Sequence, residues 1–255
     1  MNSVITTSYN PGLIALSYVI SVVGAFAALS AASRVHAFPG RPLAHNWVNL
    51  GIAGIALGGI GVWSMHFIGM LALNMDMGLG YSMVETVISL VAAIVVTALA
   101  LAVVAKNPRS INRVLGAGAM LGLGAGFMHY LGMYGMRFGG HFRWSFDVVG
   151  LSLLIALVAA TAALWLAFHT RTLASRLLAA CVMGLAVCAM HYTGMAAAEF
   201  ICTTDNRRAI PSGFGVISVM QLPLLVITLA VGMATTIAID LLYQSTTVRK
   251  PARIA

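Results

Sequence analysis

Three stretches of this chain have residue types that could do chemistry, and they are copies of one another. Met65-His66-Phe67-Ile68-Gly69-Met70, Met128-His129-Tyr130-Leu131-Gly132-Met133 and Met190-His191-Tyr192-Thr193-Gly194-Met195 share the order Met-His-aromatic-x-Gly-Met. The histidines stand 63 and then 62 residues apart. Each copy lies near the end of a long apolar stretch, where a histidine needs a partner. A repeat at a nearly fixed period asks for one explanation for all its copies. The expectation is that three helices bring the copies together around one or two metal ions.

On a helix, residue i+4 stands one turn above residue i, and i+3 stands beside it. His66, Gly69 and Met70 therefore share a face, as do His129, Gly132 and Met133, and His191, Gly194 and Met195. The glycine removes bulk beside the histidine and admits another helix or a ligand. Met65, Met128 and Met190 are rotated by about 100° and either reach an adjacent site or pack. The i+4 methionines are the better co-ligands of one ion. Imidazole with thioether favours copper, Cu(I) above all. Magnesium and calcium want oxygen ligands, which the motif lacks. Zinc suits three histidines but leaves the methionines unexplained. Haem with His/Met axial ligands competes, although three equivalent copies exceed its two axial positions. The plain structural alternative is that each histidine bonds a backbone carbonyl or a tyrosine. Three copies at matched depth argue against that. Cys188, three residues before His191, is a possible soft co-ligand, with burial as the simpler role.

The elements that position these copies are membrane helices. Of 255 residues 60% are hydrophobic and only 8% charged, with mean hydropathy +0.96, against about 25% charged in a soluble domain. The net charge of +8 belongs to loops rather than to a nucleic-acid partner. Seven apolar stretches reach the roughly 20 residues a span needs: Pro11–Ser33, Trp47–Leu73, Met83–Ala105, Val114–Met136, Asp147–Phe168, Leu177–Ala198 and Val216–Tyr243. No strand-like alternation stands out. Pro39, Pro42, Pro108 and Pro211 fall in connections, Pro11 suits a first turn, and Pro223 is expected to kink the seventh stretch. The N-terminal ten residues lack the basic start of a cleavable signal, so the first stretch is expected to be retained.

The fold class predicted is an all-α membrane protein of seven transmembrane helices, with three helix-pair repeats (one and two, three and four, five and six) plus a seventh helix. Residues 1–245 form the domain and 246–255 a short basic cytoplasmic tail. Arg34, Arg41, Lys106, Arg109, Arg113, Arg171, Arg176, Arg249, Lys250 and Arg253 fall on one side, and Arg137, Arg143, Arg207 and Arg208 on the other. The richer side is cytoplasmic by the positive-inside rule, which puts the N-terminus outside and the C-terminus inside. His66 is then about 28 Å and His129 and His191 about 22 Å from the cytoplasmic start of their helices, all in the outer leaflet.

Glycine ridges Gly118, Gly122, Gly126 and Gly51, Gly54, Gly58 permit close helix approach. Ten of the 15 methionines fall in or just outside the motifs, counting Met75, Met77, Met83 and Met136. Three cysteines, Cys181, Cys188 and Cys202, give no disulfide framework. His36, His45, His141 and His169 lie in or beside loops, Glu199 and Asp205 read as surface charges, and Asp240 is expected to pair with Arg249 or Lys250. Tyr130 and Tyr192 are replaced by Phe67 in the first copy, so a phenol is not required at all three positions.

The motifs resemble those of the MHYT family of bacterial membrane sensor domains, named for Met-His-Tyr-Thr. Met190-His191-Tyr192-Thr193 matches the name letter for letter; the second copy has Leu131 in place of threonine, and the first has Phe67 and Ile68. The resemblance covers nearly the whole chain. It implies a seven-helix domain of the bacterial inner membrane whose motif methionines and histidines bind copper near the outer face. It also implies sensing of a diatomic gas (oxygen, carbon monoxide or nitric oxide) and output through a cytoplasmic signalling domain or partner protein. The residues leave other classes open: a membrane copper oxidase or oxygenase, or copper transport, which the gathering of ligands at one depth disfavours. No phosphate-binding loop, nucleophile motif or paired carboxylates point to an enzyme.

Overall fold

The computed structural model describes residues 3–37, 43–170 and 172–248. Seven helices in it are long and apolar enough to cross a membrane: Pro11–Arg34, Trp47–Ala72, Met83–Ala105, Ile111–Tyr134, Phe146–His169, Leu173–Ala196 and Leu222–Ser245. The helices themselves are α1 (Pro11–Ala37), α2 (Leu43–Gly54), α3 (Met65–Ala72), α4 (Met83–Ala105), α5 (Ile111–Tyr134), α6 (Phe146–His169), α7 (Leu173–Ala196) and α8 (Leu222–Val248). A π-helical segment, Ile55–Ser64, joins α2 to α3, so these three make one continuous second span. Its glycines Gly58, Gly59 and Gly61 favour no single helical width, and the buried Ser64 hydroxyl donates to the Gly59 carbonyl five residues back (3.1 Å). π turns are rare and cluster at functional sites; this one ends where the first motif begins.

Local chemistry sets the helix starts. The Asn10 side chain accepts from the backbone N–H groups of Gly12 (2.9 Å) and Leu13 (3.2 Å), capping α1. Thr172 and Ser175 form a capping box at α7. Pro223 is the second residue of α8, so the expected kink is absent: in a first turn the missing N–H leaves no bond unmade.

The spans pack in a closed ring. α1 lies on α7, α7 on α6, α6 on α5, α5 on α4, α4 on the second span, and the second span on α1. α8 lies outside this ring against the π segment. The second span is consequently the most enclosed, with 83% of its apolar window buried against 22–44% for the others. Close approach comes from small residues, as membrane packing favours. Gly24 of α1 faces the Gly61 backbone of the π segment, where a Cβ would collide. Gly118, Gly122 and Gly126 abut Thr161, Leu157 and Leu153 of α6, and Gly54 and Gly58 abut α4, whereas Gly51 has open space around it. The outer faces carry exposed rows such as Val84, Val87, Ile88, Val91, Val95 and Leu99 of α4. In water such a row would be a liability; against hydrocarbon it is the right surface.

The membrane-spanning part is all helix, as the expected all-α membrane fold requires, and short strands supplement it outside the spans. Among the described residues eight short strands lie at the end of the bundle where the motifs sit: β1 (Ser3–Val4), β2 (Thr7–Tyr9), β3 (Leu73–Met75), β4 (Gly80–Ser82), β5 (Met136–Arg137), β6 (Gly140–Trp144), β7 (Ala198–Cys202) and β8 (Val216–Ser218). They form antiparallel sheets ordered β1-β7-β6, β2-β3 and β5-β4-β8. Strands of two to five residues are too short for a period-two pattern to register. They pair backbone groups that a helix end leaves open. Met136, Ala198 and Val216, read as helical ends, belong to these strands, and α8 continues past residue 245 to Val248.

Asp240, expected to pair with Arg249 or Lys250, has a partner among the described residues. Its carboxylate pairs with Arg34 of α1 (3.2 Å). Arg34 also donates to the Asn49 side chain (3.3 Å), and Gln244 donates to both Asn49 (3.0 Å) and Asp240 (2.9 Å). Arg34 sits about one span's height from the motifs and faces α8 directly, which the linear sequence hides. Arg249, Lys250 and Arg253, with Pro39, Arg41, Pro42 and Arg171, lie outside the described residues, as do the side chains of His36 and His45.

Candidate metal centre

His66 enters from α3, His129 from α5 and His191 from α7, and all three are fully buried. Their Nδ1 atoms form a nearly equilateral triangle. His66 to His129 and His66 to His191 are each 3.1 Å, and His129 to His191 is 3.2 Å. The ring centroids stand 4.9, 5.0 and 5.1 Å apart with planes crossing at 78–87°. The imidazoles thus make a three-bladed propeller with one nitrogen of each blade at the hub.

Hydrogen bonding alone does not satisfy that hub. A ring nitrogen of neutral imidazole is either a protonated donor or a lone-pair acceptor. Around a triangle the two kinds cannot alternate, so at least one side joins donor to donor or acceptor to acceptor. Protonation adds donors and makes matters worse. A cation removes the conflict, because three lone pairs can converge on it while each Nε2 carries the proton. Three ring nitrogens at about 2.0–2.1 Å from one ion stand about 3.3–3.6 Å apart, within a few tenths of an ångström of the observed sides. A buried histidine triad of this kind could hold a metal ion. Bonding of each histidine to a carbonyl or tyrosine is not what is found.

The motif glycines build the outside of the propeller. Nε2 of His66, His129 and His191 has no hydrogen-bond partner. Each lies against the glycine of another copy: His191 on Gly69, His66 on Gly132 and His129 on Gly194, where a Cβ would strike the ring. The close approach that glycine was expected to permit is therefore to the next copy's imidazole. The adjacent aromatic steadies each ring edge-on, with centroids of 4.9 Å (Phe67 on His66), 4.8 Å (Tyr130 on His129) and 4.7 Å (Tyr192 on His191). Tyr130 shares a hydrogen bond with Ser152 of α6 (2.6 Å) and Tyr192 with Ser17 of α1 (3.0 Å). In the first copy Phe67 packs on Trp63, whose indole N–H donates to Ser89 of α4 (3.0 Å). Sequence reasoning missed these serines. Their signal was present: Ser17, Ser89 and Ser152 are each the seventh residue of a largely apolar helix.

The six motif methionines, Met65, Met70, Met128, Met133, Met190 and Met195, are all buried, at most 2% exposed. Cys188 is buried but does not belong to the histidine cluster, and all three cysteines are free. Among the described residues the cluster contains no carboxylate. Glu199 is half exposed and bonded by Arg143 (2.6 Å), and His141 is exposed on β6.

The family description "Bacterial signalling protein N terminal repeat", MHYT, matches residues 1–44, 59–117, 122–180 and 184–253. The chain belongs to the MHYT family. Each of the last three MHYT segments carries one motif and runs into the helix that follows it. The chain is 37% identical over 233 residues to "Bifunctional diguanylate cyclase/cyclic di-GMP phosphodiesterase MucR" of Pseudomonas aeruginosa, covering 88% of this chain and 33% of that protein. It is 33% identical to "Cyclic di-GMP phosphodiesterase NbdA" of the same organism, covering 74% and 24%. It is 29% identical to "Signaling protein YkoW" of Bacillus subtilis, covering 77% and 25%. The chain thus spans a quarter to a third of the length of these relatives. No solved structure matches it. With seven membrane-length helices and MHYT signalling relatives, this is a multi-pass protein of the bacterial inner membrane.

Proposed function

We propose that the MHYT domain is a copper-binding membrane sensor. His66, His129 and His191 hold one ion through Nδ1, and Met70, Met133 and Met195, on the same helix faces, offer thioether sulfur. Met65, Met128 and Met190 pack beside the centre. The observation that carries this reading is the closed triangle of three buried ring nitrogens, whose contacts mutual hydrogen bonding leaves in conflict and a cation would satisfy. The charge balance supports copper. Three neutral imidazoles cannot offset a dication in a dry site, and an uncompensated buried charge is costly. A monovalent soft ion suits neutral nitrogen and thioether donors better. Zinc fits the triangle by size but carries twice the charge.

Copper(I), when bound, would supply an electron-rich centre able to take a diatomic gas such as oxygen, carbon monoxide or nitric oxide. The residues do the rest. The glycines seat each imidazole against the neighbouring copy, the aromatic-serine pairs fix the ring edges, and the apolar surroundings exclude water. The asymmetry of lysine and arginine supports the motif end as the outer face and the C-terminus as cytoplasmic. α8 touches the π segment at one end and the Arg34–Asn49–Asp240 cluster at the other, and is the route by which a change at the triad would leave the membrane. The names of the relatives support an output partner that makes or degrades cyclic di-GMP.

The test is uptake of carbon monoxide by protein loaded with copper(I) under reducing conditions, read by infrared spectroscopy. One carbon monoxide per protein, lost in His129→Ala, is expected. Loaded protein that takes up none contradicts the gas-sensing reading.

A further inference from the structure

Directly beneath the triad is a second feature, whose lining includes one motif residue, Met190. An apolar cavity of about 40 Å³ lies between the π segment, α5, α6 and α7. Val62, Ala125 and Val187 line it, and each is the fourth residue before a triad histidine. The cavity therefore begins one helical turn below the imidazoles, on all three motif-bearing helices at once. α6 contributes only alanines, among them Ala160 and Ala163.

Its chemistry selects its occupant. A water molecule needs about 10–15 Å³ of such space and two to four polar partners. The space is sufficient, but the lining side chains offer no donor and, as acceptors, only the weak thioether sulfurs of Met183 and Met190. A dry cavity of this kind takes small non-polar species, as engineered apolar cavities take xenon. The size admits a molecule of two heavy atoms. Ala159, Ala186 and Val187 are only half-buried, so the cavity opens between α6 and α7 towards the surface that meets hydrocarbon. Non-polar gases partition from water into that phase for the same reason that apolar surface does.

We propose that this cavity is a docking site for one small non-polar gas molecule, which enters from the bilayer between α6 and α7 and rests one turn from the triad. The inference rests on the sensing reading for what the docked gas does next; docking itself needs no metal.

Xenon is the probe. Full-chain protein in lipid nanodiscs is titrated with dissolved xenon and followed by xenon NMR, with metal content measured on the same samples. A saturable site in the wild type is expected, present with or without metal. Ala160→Val and Ala163→Val each fill the cavity from α6 and are expected to lower xenon affinity at least tenfold, with metal content and melting temperature unchanged. Two separate variants guard against one that fails to fold. Folded wild-type protein without a saturable xenon site overturns the proposal. So does undiminished binding in both valine variants, or an acyl chain found filling the cavity. Metal-loaded protein that ignores xenon removes the docking site and leaves the metal centre standing. Protein that binds xenon but never copper does the reverse.

Discussion

Gly194 presses on the ring of His129, Gly132 on that of His66, and Gly69 on that of His191. Each copy of the motif thereby positions the histidine of another, and no copy makes a site alone. Gly194→Ala is expected to push the His129 imidazole off the hub. Displaced supporting groups at metal sites cost about 10–100-fold in affinity; competition with a copper(I) chelator measures this, and unchanged affinity would refute the cradle. A different residue gives a prediction of opposite sign. Tyr81 of β4 is fully buried and its hydroxyl has no partner. An orphaned buried hydroxyl is a cost of about 1–3 kcal/mol, so Tyr81→Phe should leave stability unchanged or raise it. Burial also pushes the Tyr81 phenol above its ordinary range. The unfolded chain then ionises first, and stability contributed by the neutral phenol is lost as pH rises beyond about 10. Alkaline melting curves should show a smaller loss in Tyr81→Phe than in the wild type.

At the scale of elements, α8 is tied to the ring at its far end by a nearly enclosed ion pair, Arg34 with Asp240, extended by Asn49 and Gln244. Removing one partner of such a pair leaves a charge uncompensated and costs about 3–5 kcal/mol, while replacing both by apolar residues is often neutral. Asp240→Ala should lower thermal stability sharply, and Arg34→Met with Asp240→Leu should recover most of it. A double variant as unstable as the single would contradict this account. The spans themselves were legible in the sequence because a membrane demands about 20 apolar residues for each. The pair was not, because Arg34 and Asp240 lie 206 residues apart and only the packing of α1 and α8 on the same second span brings them together. The strands were missed for a related reason: their pairing is set by where helices end in space, as when β7 lies between β1 and β6. The π segment left only a cluster of glycines, which packing alone would also explain.

Over the whole molecule, six spans close around the triad, and the second span is the most enclosed of them because α8 covers its outer side. The meeting of His66, His129 and His191 was readable from repetition, since three histidines at equal depth on three helices have one common place to go. What repetition could not convey was which nitrogen faces inward, and that choice is what would let three buried histidines hold a cation. On the proposed reading stability depends on the ion: copper(I) held by the folded triad should by linkage raise the melting temperature of the wild type and not of the triple variant His66→Ala, His129→Ala, His191→Ala. The most direct test of the central claim is the metal content of the purified protein by mass spectrometry, beside that triple variant. One copper per chain, absent from the variant, is the predicted result. A well-folded wild type that holds no metal after copper loading under reducing conditions would contradict it.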